Sequence, residues 1–112
     1  MPPEDRVRLL HMADALETVE RFIAGRARSD LDTDDMFRLA LTRAIEVVGE
    51  AASRVTVATQ RAHPEVPWRA LAGMRNRLIH AYFDVNRDIV WITAEHDAPN
   101  LLAYVRDILD VA

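Results

Sequence analysis

Apolar side chains recur at three- and four-residue intervals through two long stretches of this chain, a period that helices satisfy and strands do not. In the first stretch, Leu9, Met12, Ala13, Leu16, Val19, Phe22 and Ile23 form one stripe between Glu4 and about Ala24. Gly25 follows where a left-handed C-terminal cap belongs. In the second, from Thr33 to roughly Gln60, the stripe is Phe37, Leu41, Ala44, Ile45, Val48, Ala52 and Val55. Asp32 or Thr33 can cap it, and Asp34 and Asp35 in its first turn suit the positive end of the helix dipole. No strand-like alternation is sustained anywhere. His63-Pro-Glu-Val-Pro67 is a break, with Pro67 placed to open a third helix that runs to Tyr82. Asp84 or Asn86 can cap a short fourth helix through Ile92. Asp97 can cap a fifth that carries Leu101, Leu102, Val105, Ile108 and Leu109. The expected fold is an all-α bundle of two long antiparallel helices with three shorter ones packed on them.

With 112 residues, one domain spanning 1–112 is expected, large enough for one core and small enough for a partner to complete it. Cysteine is absent, which excludes disulfides, thiolate zinc sites and cysteine nucleophiles. The start, Met-Pro-Pro-Glu-Asp-Arg, is not a basic segment leading into an apolar one, and no apolar run is long enough to span a bilayer. A cytoplasmic protein is therefore expected. The net charge of −4 argues against a general nucleic-acid coat. Yet Trp68 to Arg87 holds Arg69, Arg75, Arg77 and Arg87 against Asp84 alone, one basic island on an acidic body. Asp30-Leu-Asp-Thr-Asp34 looks like the start of a calcium loop, but Asp35 stands where such a loop needs glycine and Leu41 where it needs glutamate. Helix capping explains that run better. His11, His63 and His96 lack metal-ligand spacing, and no metal is expected. Glu46 and Glu50 read as a solvated face with Arg54 in register to pair with Glu50. Trp68 and Trp91 read as core or interface anchors.

The chemistry concentrates in Arg75-Asn-Arg-Leu-Ile-His80-Ala-Tyr82. Arginine presents a planar fork of donors that fits phosphate oxygens, and histidine exchanges a proton near neutral pH. If the segment is one helix, Arg75 falls among Trp68, Leu71, Leu78, Ile79 and Tyr82 in the middle of its apolar face, and His80 lies about 140° away. An arginine there demands compensation. It would be either an internal salt bridge to Glu46, Glu50 or Asp84, or a cleft in which Arg75 acts. Because Arg75 and His80 would not share a face, a two-fold dimer could build one site from two copies.

Arg-x4-His-x-Tyr, with Gly49-Glu-Ala-Ala52 in the second long helix and Pro67-Trp68 upstream of Gly73-Met-Arg-Asn-Arg-Leu-Ile-His-Ala-Tyr-Phe-Asp-Val85, resembles the HepT-like branch of the HEPN superfamily across essentially the whole chain. The resemblance implies the toxin of a type VII toxin–antitoxin pair, a metal-independent endoribonuclease acting by 2′-hydroxyl transesterification at a dimer interface. It implies Arg75 and His80 as the catalytic pair and Asn76 as the polar residue that follows the motif arginine. It also implies Tyr82 as the acceptor of AMP from an MntA-like minimal nucleotidyltransferase antitoxin. Arg77 and Arg69 would guide the RNA backbone. No cofactor is implied. A competing expectation is a non-catalytic helical dimer that serves as a binding module or scaffold for the nucleotidyltransferase partner.

Overall fold

The computed structural model describes residues 1–81 and 84–111, with side chains at 1–79 and 84–110. Helix α1 runs Pro3–Ile23 with Pro3 in its first turn, where a missing N–H costs nothing. It ends at Gly25, whose φ of 72° only glycine adopts without strain. The one-turn helix α2, Asp30–Thr33, precedes α3, Asp35–Ser53. The cap of α3 is Asp34 rather than Asp32 or Thr33, its carboxylate accepting from Phe37 N–H at 3.0 Å. Asp32 and Thr33 are instead consumed in α2.

The second stretch is not one helix to Gln60. It stops at Ser53, turns through Arg54 and Val55, and resumes as α4, Val57–Ala62. Asp5 accounts for the break. This carboxylate is 1% exposed and accepts from the Thr56 N–H at 3.0 Å and from the hydroxyls of Thr56 and Thr59, each at 2.6 Å. Burial alone would raise its pKa, but the hydrogen bonds outweigh burial and hold it below the ordinary carboxylate range. A backbone N–H spent on Asp5 cannot continue a helical ladder. The same contact ties the start of α1 to the end of α3. At the other end, Arg26 stacks on Phe37 at 4.5 Å, so α1 and α3 are antiparallel, as expected.

Leu9, Met12, Leu16 and Val19 from α1 meet Leu41, Ile45, Val48 and Ala52 from α3 in the core. Phe22, expected in the α1 stripe, is instead 37% exposed. Further corrections fall in the second half of the chain. Pro67 caps α5, Trp68–Ala72, but the helix expected to reach Tyr82 breaks at Gly73 into α6, Met74–Leu78, and then becomes strand β1, Ile79–Ala81. A two-residue strand β2, Asp84–Val85, pairs antiparallel with it. Helix α7, Arg87–Ile92, is capped by Asn86, whose side chain accepts from Ile89 N–H at 3.2 Å. Asp97 caps nothing. It lies in a π-helical turn, Thr93–Asp97, that joins α7 directly to α8, Ala98–Val111. The wider turn accommodates Pro99, which has no N–H and whose ring would clash with an ordinary preceding turn.

Gly49 sets how closely the second half docks. A Cβ built there would lie 2.6 Å from the Leu71 carbonyl oxygen and 3.3 Å from the Met74 Cβ, so α5 and α6 press directly on the α3 backbone. The Gly49→Ala variant should lose about 1–3 kcal/mol of stability from overpacking, seen as a lower midpoint in thermal unfolding. An unchanged midpoint would mean the contact is looser than described.

Candidate active site

Met74 and Leu78, four residues apart, are buried against the core, and the three residues between them, Arg75, Asn76 and Arg77, are all exposed. Arg75 is therefore not in the middle of an apolar face. The buried stripe of the segment is Leu71, Met74 and Leu78, while Ile79, which would have flanked Arg75 on a continuous helix, belongs to β1. The proposed salt bridges fail with it. Arg43 pairs with Glu50 at 2.8 Å and with Glu46 at 3.7 Å, and Arg54 has no part in it. Among the described residues no acid forms an ion pair with Arg75, Arg77 or Arg69. All three are exposed guanidiniums available to an external anion.

Arg87 separates from that group. It pairs with Asp32 at 2.9 Å, while Arg28 pairs with Asp32 at 2.6 Å and with Asp88 at 2.7 Å. This network pins the α1–α2 connector to α7. Hydrogen bonds from Arg87 and then Arg28 hold the Asp32 carboxyl below its ordinary range, and those to Asp88 and Asp32 raise Arg28. The aspartates of the calcium-like run are likewise used in the fold: Asp30 accepts from Ala27 N–H at 2.8 Å, and Asp34 caps α3 and pairs with Arg26 at 3.1 Å. Of the basic island, Arg69, Arg75 and Arg77 are thus the exposed arginines with no ion-pair partner among the described residues.

His80 is not on a helix. It is the middle residue of β1, where the register shifts between the Ile79–Val85 and Ala81–Asp84 pairs. Such bulges occur preferentially beside functional sites because they re-aim a side chain. The strand is anchored behind by the Asn86 N–H, which donates to the Leu78 carbonyl at 2.6 Å. Arg75 and His80 therefore sit on two short adjoining elements instead of opposite sides of one helix. The 140° separation, and the geometric case for a dimer drawn from it, do not apply. Tyr82 lies outside the described residues.

A groove that the sequence did not announce runs beside this segment. Arg77 stands on its rim, and Thr93 and Tyr104, from the π-turn and α8, line it. The only hint in the sequence is Pro99 inside an otherwise helical pattern, which requires a local change of helical pitch.

Compared with known proteins, residues 12–108 match the family described as Ribonuclease HepT-like. The chain is 40% identical over 90 residues to "Probable ribonuclease HepT" of Thermococcus cleftensis, covering 80% of this chain and 82% of that one. It is 35% identical to a "Putative RNase" of Caldanaerobacter subterraneus subsp. tengcongensis over 90% of each chain. It is also 36% identical to one of Methanocaldococcus jannaschii over 83% of this chain and 85% of that one. No solved structure gives a significant match. The match takes in α1 from Met12 onward, the whole of α3, the Gly49 contact and the segment from Arg75 to His80, and the chain belongs to the ribonuclease HepT-like family.

Proposed function

We propose that this protein is a metal-independent endoribonuclease, the toxin of a HepT/MntA-like pair. The observation that carries the reading is the pair of exposed arginines on α6, without an ion-pair partner among the described residues, immediately before the strand that holds His80, in a chain of a ribonuclease family. In the reaction, His80 takes the proton of an RNA 2′-hydroxyl, and O2′ attacks the adjacent phosphorus. The bond from phosphorus to O5′ breaks, and the leaving oxygen takes a proton from water, which the protonated His80 then restores. The products are a 2′,3′-cyclic phosphate and a 5′-hydroxyl end. Arg75 holds the non-bridging oxygens and offsets the charge that grows on them. Asn76 assists at the same turn. Arg77 and Arg69 contact the backbone and contribute salt-dependent affinity. Single-stranded RNA is the substrate, because its 2′-hydroxyl and phosphate are free to adopt an in-line geometry. Two copies complete the working site, as the family resemblance implies. The neutralising partner is a minimal nucleotidyltransferase that transfers AMP to Tyr82, adding negative charge two residues from His80, where it repels substrate phosphate.

Metal-free purified protein should cleave RNA into fragments with 5′-hydroxyl and 2′,3′-cyclic phosphate ends. The His80→Ala variant should be slower by a factor of about 10²–10⁴ while keeping its helical circular dichroism. Equal, undetectable cleavage by both would instead favour the non-catalytic scaffold. For the regulatory step, co-expression with the nucleotidyltransferase should add one or more AMP masses to the intact protein, and Tyr82→Phe should remove them. An adduct that survives the substitution would place the modification elsewhere.

A further inference from the structure

The groove beside α6 is walled by α5 and α6 on one side and by the π-turn and α8 on the other. Its floor comes from Leu16, Ile45 and Val48 of the two long helices, and its sides from Met74, Ala98 and Leu101. Its volume of about 290 Å³ suits a single small ring system. The surface is mainly apolar, with one buried polar group. Thr93 is 6% exposed, and its hydroxyl has no hydrogen-bond partner among the described residues. A helical threonine ordinarily bonds the carbonyl four residues back, here Ile89. Thr18 and Thr42 make this bond in α1 and α3, whereas at Thr93 only the backbone N–H reaches the Ile89 carbonyl and the hydroxyl does not. Buried hydroxyls are seldom left unpaired, and π-turns cluster at functional sites. On the rim, Arg77 supplies a cation, and Tyr104, 40% exposed, supplies an aromatic face.

We propose that this groove is a nucleobase subsite, which takes an unstacked base of single-stranded RNA. The assignment rests on the ribonuclease reading. A base has two flat apolar faces and a hydrogen-bonding edge, which matches an apolar slot with Thr93 in its buried lining. An aliphatic side chain from a protein partner would fill the slot but leave Thr93 unpaired. A sugar's hydroxyls would find partners only at the exposed residues Glu65, Arg77, Asp97 and Asn100, because the buried lining is apolar apart from Thr93. The base enters edge first towards Thr93 Oγ1 with Tyr104 beside its ring, and the attached phosphate remains outside at Arg77. Glu65 and Asp97 also line the groove. As carboxylates they only accept hydrogen bonds, so they favour a base that carries an amino group, adenine, cytosine or guanine, over uracil. Arg77 thereby links the subsite to the exposed arginines of α6.

Nuclear magnetic resonance titrations of the full-length protein with AMP, CMP and UMP test this. Saturable shifts are expected at the amides of Thr93 and Tyr104 with AMP or CMP, and weaker binding with UMP. Thr93→Val keeps the shape and removes the hydroxyl. It should weaken binding about tenfold, the effect of one lost hydrogen bond, with a thermal midpoint equal to or above that of the wild type. Ala70→Trp, placed at the exposed rim, should block the groove and abolish the shifts without disturbing the core. Absence of saturable shifts at Thr93, equal affinity in Thr93→Val, or shifts that follow protein concentration without nucleotide would each overturn the subsite. RNA cleavage measured on the same samples separates the two readings. A wild type that cuts RNA without binding nucleotides overturns the subsite alone. One that binds AMP through Thr93 and cuts nothing overturns the ribonuclease reading and retains the subsite.

Discussion

The approach of α5 and α6 to Gly49 is the contact on which the display of the candidate site depends. With only a hydrogen at that position, the Leu71 carbonyl comes within 2.6 Å of where a Cβ would stand, and Leu71, Met74 and Leu78 sink into the core. Burying three large apolar side chains is worth several kcal/mol, on the order of 1.5–3 each. That burial fixes the rotation of α6. Once Met74 and Leu78 are committed inward, helical geometry turns Arg75, Asn76 and Arg77 outward. The cations are exposed because the residues around them in sequence are buried, and no acidic partner is required.

The rest of the molecule holds that arrangement steady. One end of the α1–α3 pair is closed by the buried Asp5 carboxylate and its three hydrogen bonds from Thr56 and Thr59. The other is closed by exposed ion pairs among Arg28, Asp32, Arg87 and Asp88. The two devices differ in kind. Exposed pairs contribute little individually, whereas a buried carboxylate that lost its donors would be strongly destabilising. The exposed network has a different consequence, since it neutralises Arg87 and leaves Arg69, Arg75 and Arg77 as the arginines of the basic island with no ion-pair partner among the described residues. No described helix is long and apolar enough to cross a membrane.

The stripes of the two long helices, the cap at Gly25 and the cap at Asn86 were legible because each depends on neighbours within a turn. The breaks were not. Asp5 interrupts the second long helix from fifty-one residues away, a distance at which no local propensity carries information. The segment from Pro67 to Tyr82 misled for a related reason. Treating it as one helix counted Ile79 as a face residue, although it pairs with Val85 in a strand, and passed over Met74, which is buried. Both errors moved the apparent apolar face onto Arg75. The residue types of the motif were legible, but the surroundings of Arg75 depended on where α6 ends. The groove with Thr93 was hidden because its walls come from α1, α3, α5, α6 and α8 together.

On the proposed reading, Arg75 stands at the surface for chemistry and takes no part in holding the fold together. Thermal unfolding and RNA cleavage of the Arg75→Ala variant test both halves on one sample. The expected result is a stability within about 0.5 kcal/mol of the wild type, as for a surface substitution, together with loss of cleavage. A variant that unfolds, or one that stays folded and cuts RNA at the wild-type rate, would contradict it.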